Sequence, residues 1–169
     1  MTEQTPIPTE VPMPDLTFGQ ADPREAATMT GLEQMQAVVE GRFPAPPMVE
    51  VMRQWIHELG QGRIVFLGNP AARYLNPLGL VHGGWTMTLL DSALGCAVQT
   101  TLDRGETYAS LGTEVKFIRP VLPNTGQVRC CAEVQSRGRN TATASGWVED
   151  NQGRILATGT TTCFIRAAG

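Results

Sequence analysis

The sequence predicts an α+β fold in which an antiparallel sheet wraps around one long apolar helix. In the segment from Gly83 to Gln99, apolar residues cover most of the helical circumference. Beyond residue 110, apolar and polar residues alternate with a period of two, which is typical of strands with one buried face. Turn sequences separate these strands at regular intervals. With 169 residues and 41% hydrophobic content, the chain is long enough for the core of one domain.

The first 28 residues are rich in proline and poor in large apolar side chains. We therefore expect residues 1–28 to form a mobile tail without a packed element, and residues 29–169 to form the domain. The prolines are Pro6, Pro8, Pro12, Pro14 and Pro23.

A short leading helix and two strands are predicted next. Apolar residues recur at helical spacing from Thr30 to Val39, and Gly41 with the FPAPP sequence ends the pattern. The segments Val49–Leu59 and Gly62–Leu67 are typical of two strands joined by a turn, although the first of them could also be helical. Residues 69–81 contain two prolines and no periodicity, so they predict a loop, and loops of that length are often functional.

The long helix begins at a His-Gly-Gly sequence and contains one charged residue. At 100° per residue, a narrow stripe contains its polar and small residues, namely Gly84, Thr88, Asp91, Ser92, Gly95 and Gln99. Asp91 follows Gly84 by seven residues, so both point the same way with about 10 Å of helix axis between them. A lone carboxylate on an otherwise apolar helix indicates a functional site, and we expect this acid to be held away from bulk solvent.

Four strands are predicted after the helix, and we expect them to form an antiparallel meander. Tight turns are indicated at residues 123–126, 136–140 and 150–153. An open antiparallel sheet has edge strands that need pairing or cover, which favours a dimer through edge pairing.

Composition excludes several classes of function. The net charge of -3 argues against nucleic acid as the main partner. We find neither an apolar run long enough to span a membrane nor a signal sequence, so we expect no membrane partner and a cytoplasmic location. The four cysteines lack metal-site spacing and only two histidines accompany them, so we expect reduced cysteines and no metal.

The sequence resembles the hotdog-fold acyl-CoA thioesterases of the PaaI-like group over roughly residues 30–166. The resemblance is carried by Asn76-Pro77, by His82-Gly83-Gly84, by Asp91 seven residues later, and by the strand ending KFIRP. It implies a hotdog fold, dimers that can assemble into tetramers, and an active site between subunits that hydrolyses a thioester of coenzyme A. No cofactor is expected, since coenzyme A is part of the substrate.

The same residues could supply the chemistry of thioester hydrolysis. Backbone N–H groups at the helix N-terminus could hold an oxyanion, with Gly84 as the preferred donor and Gly83 as the next candidate. Asp91 could activate water or attack the carbonyl itself, and the sequence leaves that choice open. The resemblance implies that Asn76 holds the carbonyl or the water. It also implies that Ser110 positions water, although strand parity directs Ser110 away from the helix unless Gly112 marks a bulge.

Other roles remain open for several of these residues. Asp91 could be part of a structural network, and Asn76 beside Pro77 could be a turn former. His82 is expected to be structural rather than catalytic. The hairpin Arg137-Gly138-Arg139 could be a solvated turn or could bind the phosphates of coenzyme A. Two alternative functions are an acyl-thioester dehydratase or hydratase using His82 and Asp91, and a non-catalytic acyl-CoA binding protein.

Overall fold

The computed structural model describes residues 10–167, which form four α-helices and six β-strands. The helices are α1 (Pro23–Ala26), α2 (Gly31–Val39), α3 (Pro47–Met52) and α4 (Gly83–Gln99), and a 3-10 helix spans Ala72–Tyr74. The strands are β1 (Gln54–Gly60), β2 (Arg63–Gly68), β3 (Glu106–Phe117), β4 (Val128–Arg137), β5 (Thr141–Glu149) and β6 (Ile155–Ala167). The predicted α+β class is confirmed.

All six strands form one antiparallel sheet in the order β1-β2-β4-β5-β6-β3. The predicted meander of four strands is therefore wrong in one respect, because only β4, β5 and β6 follow each other in space. Strand β3 pairs with β6 and lies at the edge of the sheet. Residues 118–127, which include the turn predicted at 123–126, carry the chain across to β4 beside β2.

Helix α4 is the centre of the core, as predicted. Leu89, Leu90 and Leu94 are fully buried against the sheet. The Trp85 ring stacks on Tyr74 at 5.8 Å, and its indole nitrogen donates a hydrogen bond of 2.9 Å to the carbonyl of Met52. Most of the helix circumference is thus covered by its own chain.

The described part of the N-terminal segment packs on the domain, which corrects the prediction of a tail without packed elements. The backbone N–H of Val11 donates a hydrogen bond to Oε1 of Gln127, and Nε2 of Gln127 donates one to the carbonyl of Val11. Phe18 forms a β-bridge with Ala45, and Asp22 caps helix α1, which begins at Pro23. Proline suits the first turn of a helix, so this proline starts an element instead of preventing one. Residues 1–9 of the predicted tail lie outside the described residues.

The strand predicted from Val49 begins later than expected. Helix α3 occupies Pro47–Met52, and Arg53 ends it in a left-handed conformation with φ of 54°. Strand β1 then starts at Gln54. The helical alternative that the sequence left open therefore holds for the first part of the segment, again because a proline stands in the first helical turn. The leading helix is confirmed, and Thr30 and Glu33 form a capping box at its start.

All four cysteines are free thiols. No helix within residues 10–167 has the length and hydropathy needed to cross a membrane.

Candidate active site

Helix α4 runs beside the edge strand β3, and Gly83, Asp91 and Ser110 of the predicted site lie near this contact. The backbone of Gly83 lies against the Phe117 ring, and Gly95 lies against the hydroxyl of Tyr108. Between these two contacts, the Asp91 carboxylate meets Thr113. The structure therefore places Asp91 and Gly95 of the polar stripe beside β3, whereas Gln99 contacts Gln34 of α2.

Asp91 is exposed in the single chain, whereas we expected an acid shielded from solvent. It nevertheless has a defined position. The Thr113 hydroxyl donates a hydrogen bond of 2.8 Å to Oδ1 of Asp91. The Thr161 hydroxyl lies 3.2 Å from Thr113 Oγ1 and 3.1 Å from the carbonyl oxygen of Gly112, so strand β6 supports the orientation of Thr113.

Asp91 also lines a large cavity, of about 760 Å³. Among the described residues that line it, Asp91 is the only one with a charged side chain. Ser92, Cys96, Tyr108 and Ser110 lie in the same wall. The acid therefore stands beside a cleft, which is what a catalytic carboxylate needs.

Cys96 and Tyr108 stay neutral at neutral pH. Burial raises the pKa of Cys96 to about 12, and the nearby Asp91 charge contributes in the same direction. Burial likewise raises the pKa of Tyr108 well above its ordinary value, with smaller contributions from Cys96, Cys163 and Asp91. Cys96 thus lacks the thiolate that a nucleophile would require.

Ser110 faces the helix because strand β3 contains a bulge. The register of β3 with β6 shifts between Ser110 and Gly112. This extra residue reverses the parity of the strand. Ser110 consequently lines the cavity together with Asp91, and its hydroxyl lies 3.9 Å from the Cys163 sulfur. The bulge at Gly112 that the sequence left open is present.

The helix N-terminus offers two backbone donors, and one of them is engaged. His82 is the N-cap residue, and its Nδ1 accepts a hydrogen bond of 2.9 Å from the N–H of Gly84. The N–H of Gly83 makes no hydrogen bond to any residue between 10 and 167. In this conformation Gly83 is therefore the free donor, whereas the sequence favours Gly84.

Asn76 organises its own loop. Its Oδ1 accepts hydrogen bonds from the N–H groups of Leu78 (2.9 Å) and Leu80 (3.2 Å). Asn76 and Gly83 line a separate, smaller cavity of about 340 Å³ together with Phe117. The structure therefore brings Asn76 to the helix N-terminus but not to Asp91.

The hairpin residues Arg137, Gly138 and Arg139 lie away from Asp91 in the same chain. Arg137 forms an ion pair with Glu106, with a distance of 2.6 Å between Nη2 and Oε2. Glu106 is seven residues along β3 from Thr113, about 20 Å at the rise of a strand. Arg137 is therefore more than a solvated turn residue, while Arg139 is exposed.

Thr113 is the functional candidate that the sequence analysis missed. The signal was available, because Val115 and Phe117 alternate with charged residues and the same alternation continues back to Thr113. Nothing in the sequence, however, shows that this strand lies beside Asp91.

Comparisons with known proteins identify relatives of this chain. The family model for the thioesterase superfamily matches residues 78–157. A mutant of the phenylacetic acid degradation protein PaaI from Thermus thermophilus is 30% identical, with a TM-score of 0.63, and the match covers 70% of this chain and 97% of that one. No match was found among curated proteins.

Two further solved structures are similar. A candidate thioesterase related to phenylacetic acid degradation, from Ralstonia eutropha JMP134, is 27% identical with a TM-score of 0.71, covering 77% of this chain and 98% of that one. The E. coli PaaI protein of the phenylacetic acid degradation operon shares the fold at 19% identity and a TM-score of 0.69, covering 82% of this chain and 94% of that one. These relatives match almost fully, so this chain carries residues that they lack.

The fold and these relatives define a hotdog-fold thioester hydrolase. The chain belongs to the thioesterase superfamily, in its PaaI-like hotdog group.

Proposed function

We propose that this protein hydrolyses acyl-CoA thioesters to a free acid and coenzyme A, with Asp91 acting on the thioester carbonyl. The observation that carries the proposal is the Asp91 carboxylate, fixed by Thr113 at a large cavity that has no other charged lining residue among those described. Asp91 either activates a water molecule as a general base or attacks the carbonyl carbon itself. Ser110 lies in the same cavity wall, where its hydroxyl can position that water.

The oxyanion donors come from a second copy of the chain. Seven helical residues separate Gly84 from Asp91, about 10 Å along the axis. A carbonyl attacked beside Asp91 needs donors within about 3 Å, so the same helix cannot supply both groups. Edge strand β3 is available to pair with its counterpart, and a twofold axis would set the two α4 helices antiparallel. Each Asp91 would then approach the partner's helix N-terminus.

The proposed assembly is therefore a homodimer, and two dimers could associate into a homotetramer. Exposed apolar side chains lie on and beside β3, including Leu111, Phe117 and Met87. Burial of such side chains would favour association. In this assembly the hairpin arginines of one subunit become available to the coenzyme A phosphates of another site, with the exposed Arg139 as the better placed of the two.

The dehydratase alternative is less well supported by the geometry. It would require His82 and Asp91 at one substrate carbon, and since about 13 Å of helix separates them in one chain, it too would need the helix N-terminus of a second copy. Nδ1 of His82 is also occupied by the Gly84 N–H. Thiol release measured beside double-bond loss distinguishes the two reactions.

Substitution of Asp91 tests the proposed hydrolysis. Asp91→Asn should lower thiol release from acyl-CoA substrates by about two to four orders of magnitude with unchanged circular dichroism, since this is the usual contribution of a general base. The control is Asp103→Asn, which makes the same change at another exposed aspartate. Near-wild-type turnover by Asp91→Asn would remove this residue from the mechanism. Binding without thiol release by the wild type would favour the non-catalytic alternative.

Mixing two inactive variants tests the shared site. Gly83→Pro removes one N–H at a position where helices tolerate proline. If Gly83→Pro stays active, Gly84→Pro is used as the donor variant instead. Refolding Asp91→Asn together with the proline variant should restore about a quarter of wild-type activity, because half of the dimers are mixed and each has one intact site. Activity no higher than that of the separate variants would show that both groups act within one chain.

A further inference from the structure

The cavity beside Asp91 has a second wall, built by residues that precede the sheet. Its lining runs from the Asp91 and Ser110 side to Leu16, Met35, Val38 and Met48. One wall thus belongs to α4 and β3, the other belongs to the N-terminal segment with α2 and α3, and residues of β1 and β2 complete the lining. The Asp91 carboxylate and the N-terminal segment therefore line the same cavity.

Hydrogen bonds hold this second wall on the helix. The N–H of Gly31 donates to the carbonyl of Leu102 at 2.9 Å, just beyond the C-terminus of α4. A Cβ at Gly31 would lie 1.7 Å from the carbonyl oxygen of Gln99, so only glycine permits this approach. Nε2 of Gln99 donates a hydrogen bond of 2.9 Å to Oε1 of Gln34.

Backbone hydrogen bonds within the wall also join residues 17–19 to Ala45. The N–H of Gly19 donates to the carbonyl of Ala45 at 3.0 Å, and the N–H of Ala45 donates to the carbonyl of Thr17 at 2.8 Å. Phe43 and Ala45 are buried beneath this contact. The wall is therefore a packed structure that can define the shape of the cavity.

The chemistry of the lining indicates an apolar and flexible occupant. Among the described lining residues, the one charged side chain is Asp91, on the α4 side. Three methionines, Met35, Met48 and Met52, contribute to the N-terminal side of the lining. Methionine side chains are flexible and adapt to mobile apolar groups.

We propose that this cavity binds the acyl group of the substrate, and that its N-terminal wall selects unbranched fatty acyl chains of medium to long length. The proposal rests on the function proposed above, because it places the thioester carbonyl at Asp91 and the alkyl chain toward α2 and α3. The substrate class is an acyl-CoA with a chain of about eight carbons or more, because the volume of the cavity lies in the upper part of the size range of ligand pockets.

The volume of the cavity supports a long alkyl chain over a small acyl group. At roughly 30 Å³ per carbon, close to the share of one water molecule in the liquid, an eight-carbon arylacetyl group fills about 240 Å³ and a dodecanoyl chain about 360 Å³. The cavity has about 760 Å³. A longer chain buries more apolar surface of both the chain and the cavity, and each buried methylene strengthens binding by about fourfold.

Two pairs of variants test the wall. Val38→Trp and Met48→Trp place a large ring at lining positions on α2 and α3. Gln36→Trp and Val51→Trp are the matched controls, because both residues are exposed on the same helices and outside the lining. If one lining variant fails to fold, the other still tests the proposal.

Hydrolysis is measured with butanoyl-, octanoyl-, dodecanoyl- and phenylacetyl-CoA. We expect the wild type to show a kcat/KM for dodecanoyl-CoA at least about tenfold above those for butanoyl- and phenylacetyl-CoA. The lining variants should lose about tenfold or more on dodecanoyl-CoA and stay near wild type on butanoyl-CoA, while the controls stay unchanged. A preference for phenylacetyl- or butanoyl-CoA, or an equal loss on all substrates, would overturn the proposal.

Binding of non-hydrolysable thioether analogues separates this proposal from the proposed hydrolysis. In calorimetric titrations of Asp91→Asn, the Kd of S-alkyl-CoA should fall about fifteenfold for every two methylenes from butyl to octyl. Such dependence without thiol release by the wild type would retain the acyl site and reject the hydrolase. Thiol release together with a Kd independent of chain length would reject the acyl site and retain the hydrolase.

Discussion

The Thr113 hydroxyl donates a hydrogen bond of 2.8 Å to Oδ1 of Asp91, and this bond joins the edge strand to the central helix. Thr161 on the neighbouring strand lies 3.2 Å from the same hydroxyl. Two strands thus fix one oxygen of the carboxylate. The other oxygen, Oδ2, can then face a water molecule or a carbonyl carbon.

Loss of this bond should impair the reaction without unfolding the protein. A hydrogen bond to a charged group contributes about 1.5–3 kcal/mol, so Thr113→Val should lower kcat by about one to two orders of magnitude. Steady-state thiol release measures the effect, and Thr113→Ser, which keeps the hydroxyl, should retain most of the activity. Equal rates for the valine and serine variants would show that Thr113 does not orient Asp91 for the reaction.

The free N–H of Gly83 leads to a second prediction. Gly83→Pro removes this donor, whereas Gly83→Ala keeps it and adds only a methyl group, which would meet the Phe117 ring at 3.0 Å. One lost oxyanion donor usually costs about two to three orders of magnitude in kcat, so the proline variant should be far slower than the alanine variant. If the two variants turn over equally fast, the donor is the N–H of Gly84, released from His82.

Helical periodicity explains why part of the site could be predicted from the sequence. Gly83, Gly84 and Asp91 lie on one helix, so their relative positions follow from 3.6 residues per turn. Thr113 belongs to a distant strand, and its position depends on β3 pairing with β6 at the sheet edge. No local pattern encodes such a partner.

Ser110 and the N-terminal segment show two other limits of prediction. One extra residue in β3 reverses the direction of Ser110, and the sequence signals it only through Gly112. Residues 10–28 contain too few apolar side chains to form a core alone, yet they pack through backbone hydrogen bonds to Ala45 and to the side chain of Gln127. Those contacts are long-range in the chain, so local composition does not reveal them.

A third prediction concerns His82, whose Nδ1 caps helix α4 through the Gly84 N–H. If the role of His82 is structural, His82→Ala should lower the free energy of unfolding by about 1 kcal/mol through loss of the cap. Its activity should stay within about tenfold of wild type, since a general acid or base contributes more than that. Urea unfolding and thiol release measure the two effects.

His82→Asn separates the cap from the imidazole. Asparagine is a good N-cap residue, so this variant should recover the stability that the alanine variant loses. If instead both variants lose two or more orders of magnitude in activity, the imidazole takes part in proton transfer, and the dehydratase alternative gains support.

The fourth prediction concerns the pH dependence of stability through Asp150, which closes the turn between β5 and β6. This side chain is 1% exposed. Its oxygens accept hydrogen bonds from the N–H groups of Gln152 (2.9 Å) and Arg154 (3.0 Å), and from the Arg154 guanidinium (2.7 Å). Burial raises the pKa of Asp150, but these hydrogen bonds outweigh burial and lower it below its ordinary value of 3.8.

A pKa that is lower in the folded state means that the ionised Asp150 stabilises the fold at pH values above 3.8. This contribution is lost as the pH falls through the folded-state pKa. Asp150→Asn should therefore unfold at lower urea concentration than the wild type near pH 7, because its free energy of unfolding is lower by about 1–3 kcal/mol. This difference in free energy should shrink as the pH falls toward about 3. Urea unfolding at one fixed protein concentration measures it, with Asp103→Asn as the exposed control. A difference that stays constant over this pH range would show that Asp150 acts through its shape and not through its charge.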